Sequence, residues 1–132
     1  NNTVSTLFPL GHAHWGIIDN FNGSNLLDYS LQGSVKPTSK LTVVSALHWF
    51  DKANASDPIY NVAGAALPGG VPGSTSTDLG TELDIVATYQ ATKNLQLQTG
   101  YSWFFYGDAV TQDAALNRDD ADFFYFMSTL KF

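Results

Sequence analysis

Five stretches of the chain alternate apolar and polar residues, and this alternation restricts the possible folds more than any other feature. The stretches cover residues 26–36, 40–50, 82–90, 95–106 and 122–132. Successive side chains of a β-strand point to opposite faces of the sheet. Each stretch therefore predicts a strand with one apolar face and one polar face.

The two predicted faces differ in charge. The apolar face has no charged residue and consists of Leu27, Tyr29, Leu31, Gly33, Val35, Leu41, Val43, Ser45, Leu47, Trp49, Leu83, Ile85, Ala87, Tyr89, Leu95, Leu97, Thr99, Tyr101, Trp103, Phe105, Phe124, Phe126, Ser128, Leu130 and Phe132. The polar face is assigned Asp28, Ser30, Gln32, Ser34, Lys36, Thr42, His48, Glu82, Asp84, Thr88, Gln90, Gln96, Gln98, Ser102 and Asp122. No segment is an obvious cover for the apolar face. We therefore predict that this face meets lipid, and that the all-β chain forms part of an antiparallel up-and-down transmembrane β-barrel.

Composition excludes several other classes of protein. The chain has 132 residues, no cysteine and a formal net charge of −6. It lacks the roughly 20 consecutive apolar residues of a membrane helix, whereas a barrel strand needs only about 9–11 residues. Without cysteine it has no disulfide framework and no thiolate metal site. The negative charge disfavours nucleic-acid binding, and no motif calls for a cofactor.

The connections between the predicted strands are alternately short and long. Residues 37–39 and 91–94 form short hairpin turns, whereas residues 51–81 and 107–121 form long loops. In outer-membrane barrels the short turns face the periplasm and the long loops face outward. The alternation therefore predicts an up-and-down arrangement in the outer membrane of a Gram-negative bacterium.

The number of strands indicates a larger barrel. Bacterial single-chain barrels have an even number of strands, and open sheet edges are not tolerated in lipid. Residues 4–18 are the one candidate for a sixth strand, but Pro9, Gly11 and Gly16 interrupt this segment and argue against a strand there. We expect residues 26–132 to be the C-terminal strands of a barrel that upstream strands or other chains complete, with residues 1–25 as an outer-side loop leading into it.

Aromatic residues cluster at three predicted strand ends, in residues 49–50, 103–106 and 123–126. In a membrane such clusters form a girdle at headgroup depth, and we assign Trp49, Trp103, Phe105, Phe124 and Phe126 to it. The core of a soluble sandwich is the alternative interpretation. The terminal aromatic Phe132 is expected to be the assembly signal that the barrel insertion machinery recognises.

Seven segments of the chain carry a family resemblance. They are LFPLGHAHWG at 7–16, IDNF at 18–21, NLLD at 25–28, KPTSKL at 36–41, LDI at 83–85, GYSWFF at 100–105 and DFFY at 122–125. Together they resemble the C-terminal part of outer-membrane porins of the alginate-export type. The resemblance implies a monomeric barrel of many strands with a lumen for passive passage of a solute. It would place residues 7–25 in a loop that folds at the outer mouth or into the lumen.

The predicted lumen face is acidic. We assign to it Asp28, Gln32, His48, Glu82, Asp84 and Gln98, and no strand contains an arginine. A polyanion conduit needs cationic walls, so the sequence favours small neutral or cationic solutes, including saccharides, over alginate. Lipid, lipopolysaccharide and a small-molecule solute are the expected partners. The acidic loops at 51–57 and 119–122 could also hold divalent cations near lipopolysaccharide.

Other function classes have less support. A barrel or sheath around another component and a soluble β-sandwich that binds carbohydrate through Trp15, Trp49 and Trp103 remain alternatives. We predict that the chain is not an enzyme, although His48 with Ser102 could be proposed as a hydrolase pair. His12 and His14 could bind a metal only with a carboxylate such as Asp19, and we predict no metal site.

Overall fold

The computed structural model of the chain describes residues 14–67, 76–116 and 118–132. These residues form one antiparallel sheet of five strands in the order β1-β2-β3-β4-β5. The strands are β1 (Leu26–Thr38), β2 (Leu41–Lys52), β3 (Asp78–Gln90), β4 (Leu95–Tyr106) and β5 (Ala121–Leu130). A single helical turn, α1 (Asp108–Thr111), follows β4. The prediction of an all-β, up-and-down arrangement is confirmed.

The connections follow the predicted alternation. Residues 39–40 and 91–94 join β1 to β2 and β3 to β4, whereas the longer connections 53–77 and 107–120 lie at the opposite end of the sheet. Residues 68–75 of the long loop predicted at 51–81 lie outside the described residues, as does most of the segment 4–18. The described part of that segment, residues 14–18, contains no strand. None of the helices in the described part of the chain could cross a membrane.

Strand β3 begins four residues before the predicted boundary at Glu82. The pairing with β2 shifts next to Gly80, where the backbone has φ +131°. A Cβ at this position would overlap the carbonyl oxygen of Phe105, so only glycine fits. The glycine therefore marks a bulge inside the strand, and the prediction that it belongs to the loop 51–81 is wrong.

The pairing register defines the two faces. Leu31, Leu47, Leu83 and Trp103 form one row across the apolar face. Asp122 pairs with Trp103 and therefore lies on this apolar face. Its assignment to the polar face was wrong, because residues 122 and 124 are two apart in one strand and must point the same way. Its carboxylate oxygen Oδ2 accepts a hydrogen bond of 2.7 Å from the hydroxyl of Tyr101, which lies on the same face.

The apolar face is the exposed one. Leu31 is 68% exposed and Phe124 is 63% exposed. The buried apolar cluster lies instead at the long-loop end, largely on the polar face, and consists of Phe21, Phe50, Ile59, Leu79, Phe104, Ala109 and Val110. In a soluble sheet the apolar face is the covered one, so this sheet has the reverse arrangement.

Candidate functional site

A segment of the chain itself lies over the polar face of the sheet, and we call residues 14–22 the covering segment. Phe21 of this segment is buried, and its ring packs edge-on against Phe50 and Phe104, at centroid distances of 6.1 and 5.8 Å. The hydroxyl of Tyr106 donates a hydrogen bond of 2.8 Å to the Asn20 side-chain oxygen. Aromatic packing therefore attaches the end of the segment to β2 and β4.

The beginning of the covering segment is attached to Glu82 of β3. The backbone N–H groups of Ile17 and Ile18 both donate to Glu82 Oε1, at 2.6 and 2.9 Å. Gly16 has φ +80°, and a Cβ there would lie 2.5 Å from the Glu82 carboxyl carbon. Successive N–H groups beside a left-handed residue form a concave site for an anion. In this chain the site is occupied by a carboxyl group of its own sheet.

Asp28 and His48 form a second polar pair on the same face. His48 Nδ1 lies 2.9 Å from Asp28 Oδ2 and 3.0 Å from Oδ1. An ionised carboxylate only accepts hydrogen bonds, so Nδ1 is the donor. The His48 ring is stacked on Phe50, with 5.5 Å between centroids and 8° between planes. The Asp28 carboxylate is therefore compensated within the wall of the sheet.

Asp84 lies beside Glu82 on the same face of β3. Only 3% of the residue is exposed, and it pairs across the sheet with the buried Ser102. Asp84 Oδ1, Ser102 Oγ and Glu82 Oε2 are all buried, and none has a hydrogen-bond partner among the described residues. Buried polar atoms are normally satisfied. These three atoms are enclosed within the wall of the sheet, where solvent does not reach them.

A cavity of about 360 Å³ lies between the covering segment and strands β1, β2 and β3. Its polar lining consists of His14, Ser30, Gln32, His48 and Asp84. No lysine or arginine of the described residues lines it. The cavity is therefore a polar, acidic chamber whose roof belongs to the same chain.

A model of the family described as alginate export matches residues 1–124. The chain belongs to the alginate export family. Comparison with curated proteins gave no match. The family is an outer-membrane transport family, so membership confirms the predicted resemblance and suggests an exporter-like or porin-like function in the outer membrane.

The six residues predicted to face a lumen in this member of the alginate export family all lie on the polar face. They are Asp28, Gln32, His48, Glu82, Asp84 and Gln98. Gln98 lies apart from the others toward the short turns, donates to Thr88 Oγ1 at 3.0 Å and accepts from the Tyr125 hydroxyl at 3.3 Å. That these residues line a lumen stays a prediction.

The five residues assigned to an aromatic girdle share the apolar face. They are Trp49, Trp103, Phe105, Phe124 and Phe126. Trp49 and Phe105 both pair with Thr81 near the long loops, whereas Phe126 pairs with Thr99 near the middle of β4. Barrel strands tilt by about 35–45°, so register rows run obliquely across a membrane. The girdle also stays a prediction.

The other five aromatic residues of the sequence clusters lie on the opposite face of the sheet. They are the polar-face residues Phe50, Phe104, Tyr106, Phe123 and Tyr125. Phe50 and Phe104 hold the covering segment through Phe21. The predicted clusters contain aromatic residues of both faces, and strict alternation within each strand is the signal that separates the two sets.

The remaining candidate residues do not come together. Ser102 of β4 pairs with Asp84, whereas His48 of β2 pairs with Glu82, so β3 separates the proposed hydrolase pair. His12 lies outside the described residues, and within the described ranges no three acidic or histidine side chains are grouped for a metal ion. Phe132 lies beyond the end of β5 and is exposed, and its role in assembly stays a prediction.

Proposed function

We propose that the chain forms part of the wall of an outer-membrane β-barrel that passes small neutral or cationic solutes passively. In this proposal the apolar face contacts lipid and the polar face lines the lumen. The reversed arrangement of the two faces is the observation that carries the proposal. Exposed Leu31 and Phe124 belong to one continuous apolar surface, while the carboxylates and the covering segment occupy the other face.

The arrangement argues against the soluble carbohydrate-binding sandwich. In a sandwich the apolar faces of two sheets pack together, and large contiguous apolar patches are rare on soluble monomers. Here the aromatic core is built on the polar face by Phe21, Phe50 and Phe104. Lipid is the medium in which an uncovered apolar face has no cost.

The charges of the polar face determine the solute class that we propose. Asp28, Glu82 and Asp84 lie on this face toward the long loops, whereas Lys36 and Lys131 lie near the short turns. Carboxylates raise the local concentration of cations in a channel and oppose polyanions. The wall formed by this chain therefore suits neutral or cationic solutes better than alginate.

Substitution of neighbouring residues in β3 tests the lipid contact. Ile85 lies on the apolar face and Val86 on the polar face, near the middle of the strand. We expect Ile85→Arg to lower the free energy of unfolding from liposomes by about 2–4 kcal/mol, the cost of arginine at the bilayer centre. Val86→Arg is the matched control and should cost much less. Equal costs, or a protein that is monodisperse without detergent, would support the sandwich instead.

Conduction by the complete protein in planar bilayers tests the passage of solutes. We expect a preference for cations over anions, and we expect Asp28→Asn with Asp84→Asn to weaken it. The effect should be larger at 0.01 M salt, where the Debye length is about 30 Å, than at 0.1 M, where it is about 10 Å. Asp122→Asn, on the apolar face, is the control. Anion preference would favour export of a polyanion, and absence of conductance would favour a structural barrel in a larger assembly.

A further inference from the structure

The imidazole ring of His48 is held in one orientation at the wall of the cavity. Its Nδ1 donates to the Asp28 carboxylate at 2.9 Å, and its face is stacked on Phe50. With the proton on Nδ1, the other ring nitrogen, Nε2, is an acceptor. Nε2 has no hydrogen-bond partner among the described residues and is not one of the enclosed unpartnered atoms. Because His48 lines the cavity, this nitrogen is open to a donor from a solute.

Two hydrogen-bonding side chains of β1 lie beside this ring. Ser30 pairs with His48 across the sheet, and Gln32 lies two residues further along the same face. Both residues line the cavity and both are exposed. A serine hydroxyl and a glutamine amide can each donate and accept hydrogen bonds. We call Ser30, Gln32 and His48 the neutral row, because the three side chains offer donors and acceptors to a solute without an uncompensated charge.

The rest of the cavity suits a neutral ring with an apolar face. Val44, Ala46, Val86 and Ile17 supply apolar lining next to the neutral row. The lining also includes the Asp84 carboxyl group and no lysine or arginine of the described residues, so an anionic group would find no cationic partner there. The volume of about 360 Å³ falls at the lower end of the range of about 300–1,000 Å³ that is typical of small-molecule sites. The cavity therefore has the size for a single sugar ring.

We propose that this cavity binds single rings of neutral polyhydroxyl solutes through the neutral row. The proposal rests on the proposed function, since it narrows the solute class for the same polar face. One hydroxyl of the solute donates to His48 Nε2, and its neighbours exchange hydrogen bonds with Ser30 and Gln32. The C–H face of the ring contacts the apolar lining. Binding needs only the folded wall and the covering segment, so it can be measured separately from conduction.

NMR titration of the complete protein at neutral pH tests this site, in micelles of a detergent without a sugar headgroup. The probes are methyl glucoside, methyl glucuronide and cyclohexanol. The glucuronide carries a carboxylate in place of one hydroxymethyl group, and cyclohexanol keeps the apolar ring with a single hydroxyl. We expect the glucoside to bind and the other two probes to bind at least about 10-fold more weakly, because one brings an unpaired charge and the other makes fewer hydrogen bonds.

His48→Asn separates the roles of the two ring nitrogens. The amide N–H of asparagine can still donate to Asp28, but no group replaces Nε2. We expect this variant to weaken glucoside binding about 2- to 10-fold, the range for loss of one neutral hydrogen bond. Gln32→Ala, at an exposed position, should have an effect of similar size. The matched control is Ser34→Ala, two residues beyond Gln32 on the same face and outside the described lining of the cavity, which should change the affinity less than about twofold.

A further variant keeps the proposal testable if His48→Asn folds poorly. Ala46→Leu fills the cavity from β2 without removing a hydrogen-bonding group, and it should abolish glucoside binding. Equal or stronger binding of the glucuronide or of cyclohexanol, or unchanged glucoside affinity in the cavity variants, would overturn the proposal. Glucoside binding without conductance would support the site and contradict passive passage. Conductance without glucoside binding would overturn the site and leave passive passage in place.

Discussion

Phe21 provides a direct test of how the covering segment is held on the polar face. Its side chain is 4% exposed and packs edge-on against Phe50 and Phe104. Full burial of a phenylalanine contributes about 1.5–3 kcal/mol, and each aromatic pair adds about 0.5–1.5 kcal/mol. Buried Phe→Ala changes cost about 3–5 kcal/mol in protein cores. We expect Phe21→Ala to weaken docking of the segment by about 3 kcal/mol, which lies at the lower end of this range.

Amide hydrogen exchange at Ile17 and Ile18 measures this docking. Their N–H groups are bonded to Glu82, so they exchange only when the beginning of the segment leaves the sheet. A loss of about 3 kcal/mol should reduce their protection about 100-fold, since each 1.4 kcal/mol is a factor of ten. Single-channel conductance should rise at the same time, because the polar face is then uncovered.

The control is Phe124→Ala, which removes the same side chain from the exposed apolar face. It should leave the protection of Ile17 and Ile18 unchanged. If Phe21→Ala alters their exchange less than about threefold, the aromatic cluster does not hold the segment. The bonds to Glu82 would then be sufficient to retain it.

Two further substitutions test other contacts of the chain. Gly16→Ala should expose the covering segment to protease in the folded protein, because the left-handed backbone costs about 1–2 kcal/mol for a residue with a Cβ and the new Cβ would overlap the Glu82 carboxyl group. The control is Gly33→Ala, where a Cβ meets nothing within 4 Å, and equal protection from protease in both variants would refute the contact. Asp122→Ala should change the free energy of unfolding from liposomes by less than about 1 kcal/mol, as expected for a group near the membrane interface. Thr99→Asp lies on the same face nearer the middle of β4 and should cost measurably more. A larger cost for Asp122→Ala than for Thr99→Asp would place Asp122 deep in the bilayer.

Alternation within strands is local, and it was therefore sufficient to predict the sheet. Leu31, Leu47 and Leu83 share a face because each lies at an apolar position of the alternation in its own strand, and the register places them in one row. The same rule corrects the assignment of Asp122, because Asp122 is two residues from Phe124 and points to the same face. The start of β3 was not predicted, because a glycine in the sequence can mark either a turn or a bulge, and Gly80 lies at a bulge.

The covering segment could not be predicted in the same way. Its attachment joins Ile17 to Glu82 across 65 residues and Tyr106 to Asn20 across 86 residues. Neither contact leaves a periodic signal in the sequence. Family resemblance implied that residues 7–25 fold at the mouth or into the lumen, but the particular partners depend on the three-dimensional arrangement of the strands.

The two attachments of the covering segment differ in kind, and this difference has a consequence for the proposed lumen. The contacts of Phe21 are apolar and tolerate small displacements, whereas the bonds from Ile17 and Ile18 to Glu82 are directional. Burial of a carboxyl group costs free energy, and an apolar residue often stabilises a packed position as well or better. The carboxyl group of Glu82 instead fixes the position of residues 16–18 through directional hydrogen bonds. Because Gly16 and Ile17 also line the cavity opposite Asp84, Glu82 determines the height of the chamber in which a solute would bind.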